Sequence, residues 1–99
     1  MPRTTRALPR PFTYHWGGGQ IVEEASYPGE HHEPSIQLLQ YDEGEGAGGW
    51  SVRFCFYDKA GRFQRSPLVI GEDELRGLRA ALKQSPRLRK LLKRLVAER

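Results

Sequence analysis

Apolar and polar residues alternate most cleanly between Trp50 and Tyr57. Side chains alternate across a strand with a period of two, so Val52, Phe54 and Phe56 share one face. Arg53, Cys55 and Tyr57 share the other. Asp58-Lys59-Ala60-Gly61 has turn composition, with Gly61 able to take positive φ. Arg62 to Ile70 reads as the next strand. Pro67 within it lacks an N–H and places it at an edge or a bulge. Upstream, Ile36 to Tyr41 has strand composition. The acidic segment Asp42 to Gly49, with glycines at 44, 46, 48 and 49, joins it to Trp50 as a hairpin loop.

The period changes after Gly71. Glu72, Asp73 and Glu74 fill a helical first turn, where carboxylates meet free N–H groups and the positive dipole end. Leu75, Leu78 and Leu82 form the apolar stripe of that helix. Ser85 as N-cap and Pro86 as first helical residue start a second helix. Its Leu88, Leu91, Leu92, Leu95 and Val96 follow the i, i+3, i+4, i+7, i+8 spacing of an amphipathic helix. The N-terminal third is patterned less clearly. Residues 1–11 hold three prolines and three arginines and read as a disordered basic arm. Phe12 to Trp16 and Gln20 to Ala25 are candidate short strands around Gly17-Gly18-Gly19, and 26–35 has turn chemistry.

These elements predict an α+β fold: a small antiparallel β-sheet meander followed by two C-terminal α-helices packed on one face. Residues 1–35 form a basic, partly disordered extension, and 36–99 a β-β-β-α-α domain. The expected core is Val52, Phe54, Phe56, Leu68, Ile70, Leu75, Leu78, Leu82, Leu88, Leu92 and Leu95.

Ninety-nine residues make one domain. Such a chain buries only about two-thirds of its unfolded surface, so a dimer could supplement its core. The net charge of +4 is unevenly spread. The first ten residues hold three arginines and no acid. Residues 79–99 carry eight bases against Glu98, and 11–78 carry five bases against eleven acids. Basic ends around an acidic middle suit an anionic partner or charge pairing within an oligomer. The single cysteine, Cys55, excludes an intrachain disulfide and suits a reducing compartment. No apolar run approaches the roughly 18 residues that span a bilayer, and no signal-peptide centre stands at the N-terminus. A cytoplasmic location without a membrane partner is expected.

Two surfaces carry candidate chemistry. In the second helix Arg87, Arg89, Lys90, Lys93 and Arg94 lie between the apolar positions, and no acid intervenes before Glu98. Such a face can neutralise nucleic-acid phosphates, though a solvated helix face has the same composition. On the sheet, Arg53 and Tyr57 share a face, with Lys59, Arg62 and Arg65 from the adjoining turn and strand. Cations beside exposed aromatic rings are what single-strand binding requires. The same residues also suit an ordinary half-buried strand. Glu30-His31-His32-Glu33, His15 and Cys55 lack the spacing of a metal site, and no metal or cofactor is expected. Cys55 between two phenylalanines reads as a small buried residue rather than a nucleophile. Gly17–Gly19 has no following Lys-Ser/Thr, so it is not a phosphate loop. No catalytic constellation emerges.

The segment from Ser51 to Leu92 resembles the positive-cofactor-four family of transcriptional coactivators and, more distantly, the Whirly proteins. Val52-Arg53-Phe54-Cys55-Phe56-Tyr57 looks like the family's aromatic strand, and Asp58-Lys59-Ala60-Gly61-Arg62 like its turn. Arg65-Ser66-Pro67-Leu68-Val69-Ile70 looks like its basic strand, and Glu72 to Leu82 like its helix start. Pro67-Leu68-Val69-Ile70 replaces the Lys-Gly-Ile element usual there, and Pro86 breaks the helical region. The resemblance implies single-stranded DNA binding and dimerisation through the helices. It gives Arg53, Tyr57, Lys59, Arg62 and Arg65 as the binding face.

Two functions are therefore expected. The first is a nucleic-acid-binding module using Arg53, Tyr57, Lys59, Arg62, Arg65, Arg87, Lys90 and Arg94. The alternative is a protein-interaction or homo-oligomerisation module.

Overall fold

The computed structural model describes residues 6–64 and 67–97. Five strands run in order: β1 (Arg10–Tyr14), β2 (Gly17–Ser26), β3 (Glu33–Gly44), β4 (Trp50–Tyr57) and β5 (Leu68–Gly71). Each pairs antiparallel with its neighbour in sequence, which makes one meander sheet. A single 3-10 turn (Glu72–Glu74) leads into α1 (Leu75–Leu82), and α2 (Pro86–Val96) follows. The expected sheet followed by two C-terminal helices is the architecture observed.

Several boundaries match their local causes. The strand expected from Trp50 to Tyr57 is β4 itself. Gly61 takes φ +86° in the following turn. Of the third expected strand, Leu68 to Ile70 lie in β5 and pair with β4, while residues 65 and 66 lie outside the described residues. Before it, Phe63 makes an isolated bridge to Tyr57. Pro67, which cannot donate to a ladder, stands just before β5. Glu74 accepts a hydrogen bond from the Gly71 N–H at 2.8 Å, anchoring the acidic first turn. Ser85 precedes α2 as expected, but its hydroxyl makes no capping hydrogen bond.

In the N-terminal third the candidate strands at Phe12 to Trp16 and Gln20 to Ala25 overlap β1 and β2, and residues 1–5 of the expected arm lie outside the described residues. The separate extension and its glycine loop are the first correction. Residues 10–26 form an integral hairpin of the sheet, and the expected boundary at residue 35 falls inside β3. Gly17-Gly18-Gly19 is not a loop but the start of β2. A Cβ at Gly19 would overlap the Gln40 carbonyl oxygen, so the glycine permits a close approach of two backbones. Register shifts follow at Gly18/Gly19 and Ile21/Glu23. Such bulges bend a strand and increase its twist.

The second correction concerns which face is inside. Residues 33, 35, 37, 39 and 41 of β3 are buried, as are 51, 53 and 57 of β4. These lie on the face holding Arg53, opposite Val52, Phe54 and Phe56. Neither helix covers them; Phe12, Ile21, Leu39 and Tyr41 form the apolar cluster there, with Tyr14 and Val69 packed against it. Strands sit about 4.8 Å apart, so a flat sheet would hold β1 and β4 roughly 14 Å from one another. Yet Arg10 reaches Tyr57, and Arg53 reaches Tyr14, each at 3.0 Å. With neither helix over this face, its burial together with these β1–β4 contacts shows the sheet curled toward it and covered by its own edge.

None of the eleven residues expected in the core is fully buried. Val52, Ile70 and Leu82 are half-buried and the other eight are exposed. The two-residue alternation holds; the choice of inner face does not, because the curl buries the polar side. The helices lie over the apolar side without closing on it. A cleft of about 640 Å³ separates Phe54 and Phe56 from Leu92 and Leu95. A second, of about 320 Å³, lies between Leu38, Trp50 and Val52 and Leu75.

The close approach at Gly19 makes a direct test of the curl. Gly19→Ala should lower stability by about 2 kcal/mol or more, dropping the melting temperature by roughly 10 °C. Gly77→Ala, whose added Cβ meets nothing within 4 Å, should instead stabilise the helix by about 0.5–1 kcal/mol. Thermal denaturation of both variants checks the pair.

Candidate functional site

Four in-register residues form the centre of the buried face. Glu24 pairs with Gln37, Gln37 with Arg53, and Arg53 with Val69, so three polar side chains stand in one row across the sheet. The Arg53 Nε donates to Gln37 Oε1 at 2.6 Å. The Gln37 Nε2 donates to Glu24 Oε2 at 2.7 Å and to the Tyr57 hydroxyl at 2.9 Å. Ser35 donates to the same Glu24 oxygen at 2.9 Å. Arg10 from β1 closes the cluster with two bonds to Glu24, at 3.0 and 2.9 Å, and one to Tyr57. At the start of β3, Arg6 grips Glu33 through both carboxylate oxygens and stacks 3.6 Å above the Tyr57 ring.

This network decides the fate of two expected site residues. Arg53 and Tyr57 are each only 6% exposed, and Gln37 is 1% exposed. Arg53 spends its charge on Gln37, on the Tyr14 hydroxyl and on the Phe63 ring, 4.7 Å away. Neither residue faces outward with the basic turn. Among the described residues no buried side-chain nitrogen or oxygen lacks a partner. A satisfied network is a structural element, since leaving any one member unpaired would carry its full desolvation cost.

The other sheet-side candidates are dispersed. The exposed Lys59 donates from Nζ to the Glu30 carbonyl at 2.7 Å. Arg62 is exposed and pairs with Asp58 at 2.9 Å. Its backbone N–H also holds the Asp58 carboxylate, which lies below its ordinary range for that reason first. Arg65 lies outside the described residues. Arg53, Tyr57, Lys59 and Arg62 thus do not make one exposed surface, which corrects the sheet face inferred from the sequence.

The helix candidates keep their exposure. Arg87, Lys90 and Arg94 are exposed on α2, as are Arg89 and Lys93 between them. None pairs with a carboxylate among the described residues. No acidic residue stands in the first turn of α2. Lys83, Pro86, Arg89, Lys90 and Lys93 line a groove of about 340 Å³ over the junction of α1 and α2.

Titratable groups in and beside the network are shifted by burial and by their partners. Burial pushes the Glu24 carboxyl up, but hydrogen bonds from Arg10, Gln37 and Ser35 outweigh it and bring it from 4.5 to about 2. A carboxylate so stabilised is a weak base. Burial pushes the half-buried Cys55 thiol up, against the opposing charge of Arg53. The histidines do not converge: His15 packs on Trp16, His32 on Phe56, and His31 lies 3.8 Å from Glu30. Among the described residues no three histidine, cysteine or acidic side chains gather as metal ligands do.

Sequence reasoning missed Glu24, Gln37 and Arg10 as partners, and it passed over Lys83 as part of the basic groove. The signal for the first was present: Glu33, Ser35 and Gln37 alternate with Pro34, Ile36 and Leu38 along β3. What it lacked was the pairing across chain separations as large as the 47 residues from Arg10 to Tyr57.

The depressed Glu24 value ties stability to acid. Its folded value lies below the unfolded one, so the contribution is complete above pH 4.5 and fades as pH falls toward 2. Glu24→Gln should cost on the order of 3 kcal/mol near neutrality and flatten the acid limb of a stability–pH curve. Urea midpoints measured across that pH range check both effects.

No family model, no curated protein and no solved structure matches the chain.

Proposed function

We propose that the chain is a non-enzymatic binding module that works as a homodimer and takes nucleic acid as its ligand. The observation that carries the dimer is the uncovered apolar face. Phe54 and Phe56 are 38% and 42% exposed on the sheet, and Leu88, Leu91 and Leu95 are 51–58% exposed on α2. The chain exposes 7984 Å², against about 5,700 Å² for a folded monomer of its mass. Its radius of gyration is 14.9 Å, against about 12.6 Å for a compact chain of this length. An excess near 2,000 Å² is of the size that one subunit loses in an obligate dimer.

A second copy suits this face better than an unrelated protein. Each chain carries both an apolar sheet face that needs cover and apolar helices that need a surface. A two-fold pairing satisfies both at once, since each copy offers the same patch to the other. Both signs of charge are exposed on the elements around this face, with Glu23 on β2, Glu72 ahead of α1, and Arg76 and Arg79 on α1. Opposed charges at a rim fix register and suppress wrong pairings.

The nucleic-acid reading rests on α2. Its apolar arc turns toward the partner, which leaves its acid-free basic arc outward. Five cations on one exposed arc, none paired with a carboxylate among the described residues, favour a polyanion over a neutral partner. The single cysteine suits the reducing cytoplasm, which is where this reading places the protein.

Light scattering at micromolar concentration tests the dimer. The wild type should show twice the 11.3 kDa chain mass, and Phe54→Lys one chain mass with the strand signal of its circular dichroism intact. Dilution of the wild type gives the same answer without a variant, as mass should fall with concentration. A wild type that remains one chain at every concentration contradicts the reading.

A further inference from the structure

The groove at the junction of α1 and α2 lies apart from the sheet face that the sequence singled out. Lys83 closes α1, and Pro86, Arg89, Lys90 and Lys93 come from the first two turns of α2. With 100° between successive helical residues, Pro86, Arg89, Lys90 and Lys93 fall on one arc of α2. Leu88, Leu91, Leu92 and Leu95 fall on the opposite arc. The groove therefore stays open when the apolar arc is covered by a second copy.

We infer that this groove is a phosphate site that holds the backbone of a nucleic-acid strand. The inference deepens the nucleic-acid reading above and rests on it. Four cations converge on about 340 Å³, and none is paired with a carboxylate among the described residues. Neighbours three and four apart on a helix stand about 5–6 Å from one another, so Arg89, Lys90 and Lys93 can engage one phosphate or two adjacent ones. Arg89 adds a planar fork suited to two phosphate oxygens, and the lysines add point charges. Arg87 and Arg94 flank the groove and would extend the track along the helix.

Free phosphate and lipid headgroups share this chemistry. A bilayer is the weaker partner, because membrane-surface helices bury an apolar face that here meets the clefts of the sheet. No aromatic residue in α2 anchors it at an interface.

Fluorescence anisotropy with a labelled single strand of about 25 nucleotides tests the site. The triple variant Arg89→Ala, Lys90→Ala, Lys93→Ala changes only exposed helical positions and keeps good helix formers. It should bind at least about tenfold more weakly at low salt, with a log–log salt slope smaller by about 2. Lys59→Ala with Arg62→Ala, outside the groove, should bind nearly as the wild type does. If the triple variant matches the wild type in affinity and slope, the groove is the wrong site while nucleic-acid binding stands. If the wild type binds no strand at low salt, the nucleic-acid reading itself falls. Binding to phosphatidylserine vesicles or to inorganic phosphate, without binding to the strand, overturns the proposal in favour of those sources.

Discussion

The carboxylate of Glu24 holds the fold in its present sense. It accepts two bonds from Arg10, one from Gln37 and one from Ser35, and through Gln37 it reaches Arg53 and Tyr57. Burying a carboxylate beside a guanidinium is costly unless nearly every lone pair and donor is met. Here they are met from three neighbouring strands and from the first strand of the meander. That satisfaction lets the sheet curl with its polar side inward. Once it does, the apolar side has no cover but two short helices, which stand off from it across clefts.

Much of the local structure was legible in the chain. The ends of β4, the positive-φ turn at Gly61 and the start of α2 at Pro86 all follow from residues that act within a few positions of themselves. The basic arc of α2 was legible for the same reason, as helical spacing places Arg87, Lys90 and Arg94 on one side without tertiary help. The inner face of the sheet was not. A period of two separates Phe54 from Arg53, but it cannot say which one turns inward. Hydrophobicity favours Phe54. Arg53 wins because Gln37 and Tyr14, 16 and 39 residues away, supply bonds that its own segment does not encode. The glycine run misled in a related way, since weak strand formers at 17–19 become strand only where the Gln40 backbone needs the space.

The inversion changes how the surfaces divide their work. A face that the sequence offered to a ligand is spent on holding the sheet together. A face that it offered to the core is left partly exposed. Among the described residues the five cations of α2 have no carboxylate partner. The apolar and basic residues of α2 occupy opposite arcs of one helix, so under the proposed function a dimer contact and a ligand contact would not compete. If the proposed dimer forms, stability would rise with protein concentration, because the apolar face contributes fully only when covered.

Arginine-selective labelling of the folded protein with phenylglyoxal, read residue by residue from peptide masses, tests this arrangement most directly. Arg53 is buried and bonded, whereas Arg87, Arg89 and Arg94 stand exposed. The account predicts that Arg53 resists modification under conditions that fully modify the three helix arginines, and that denaturant abolishes the difference. Modification of Arg53 in the native protein as fast as Arg87 would contradict it, because the polar face would then be open and the sheet turned the other way.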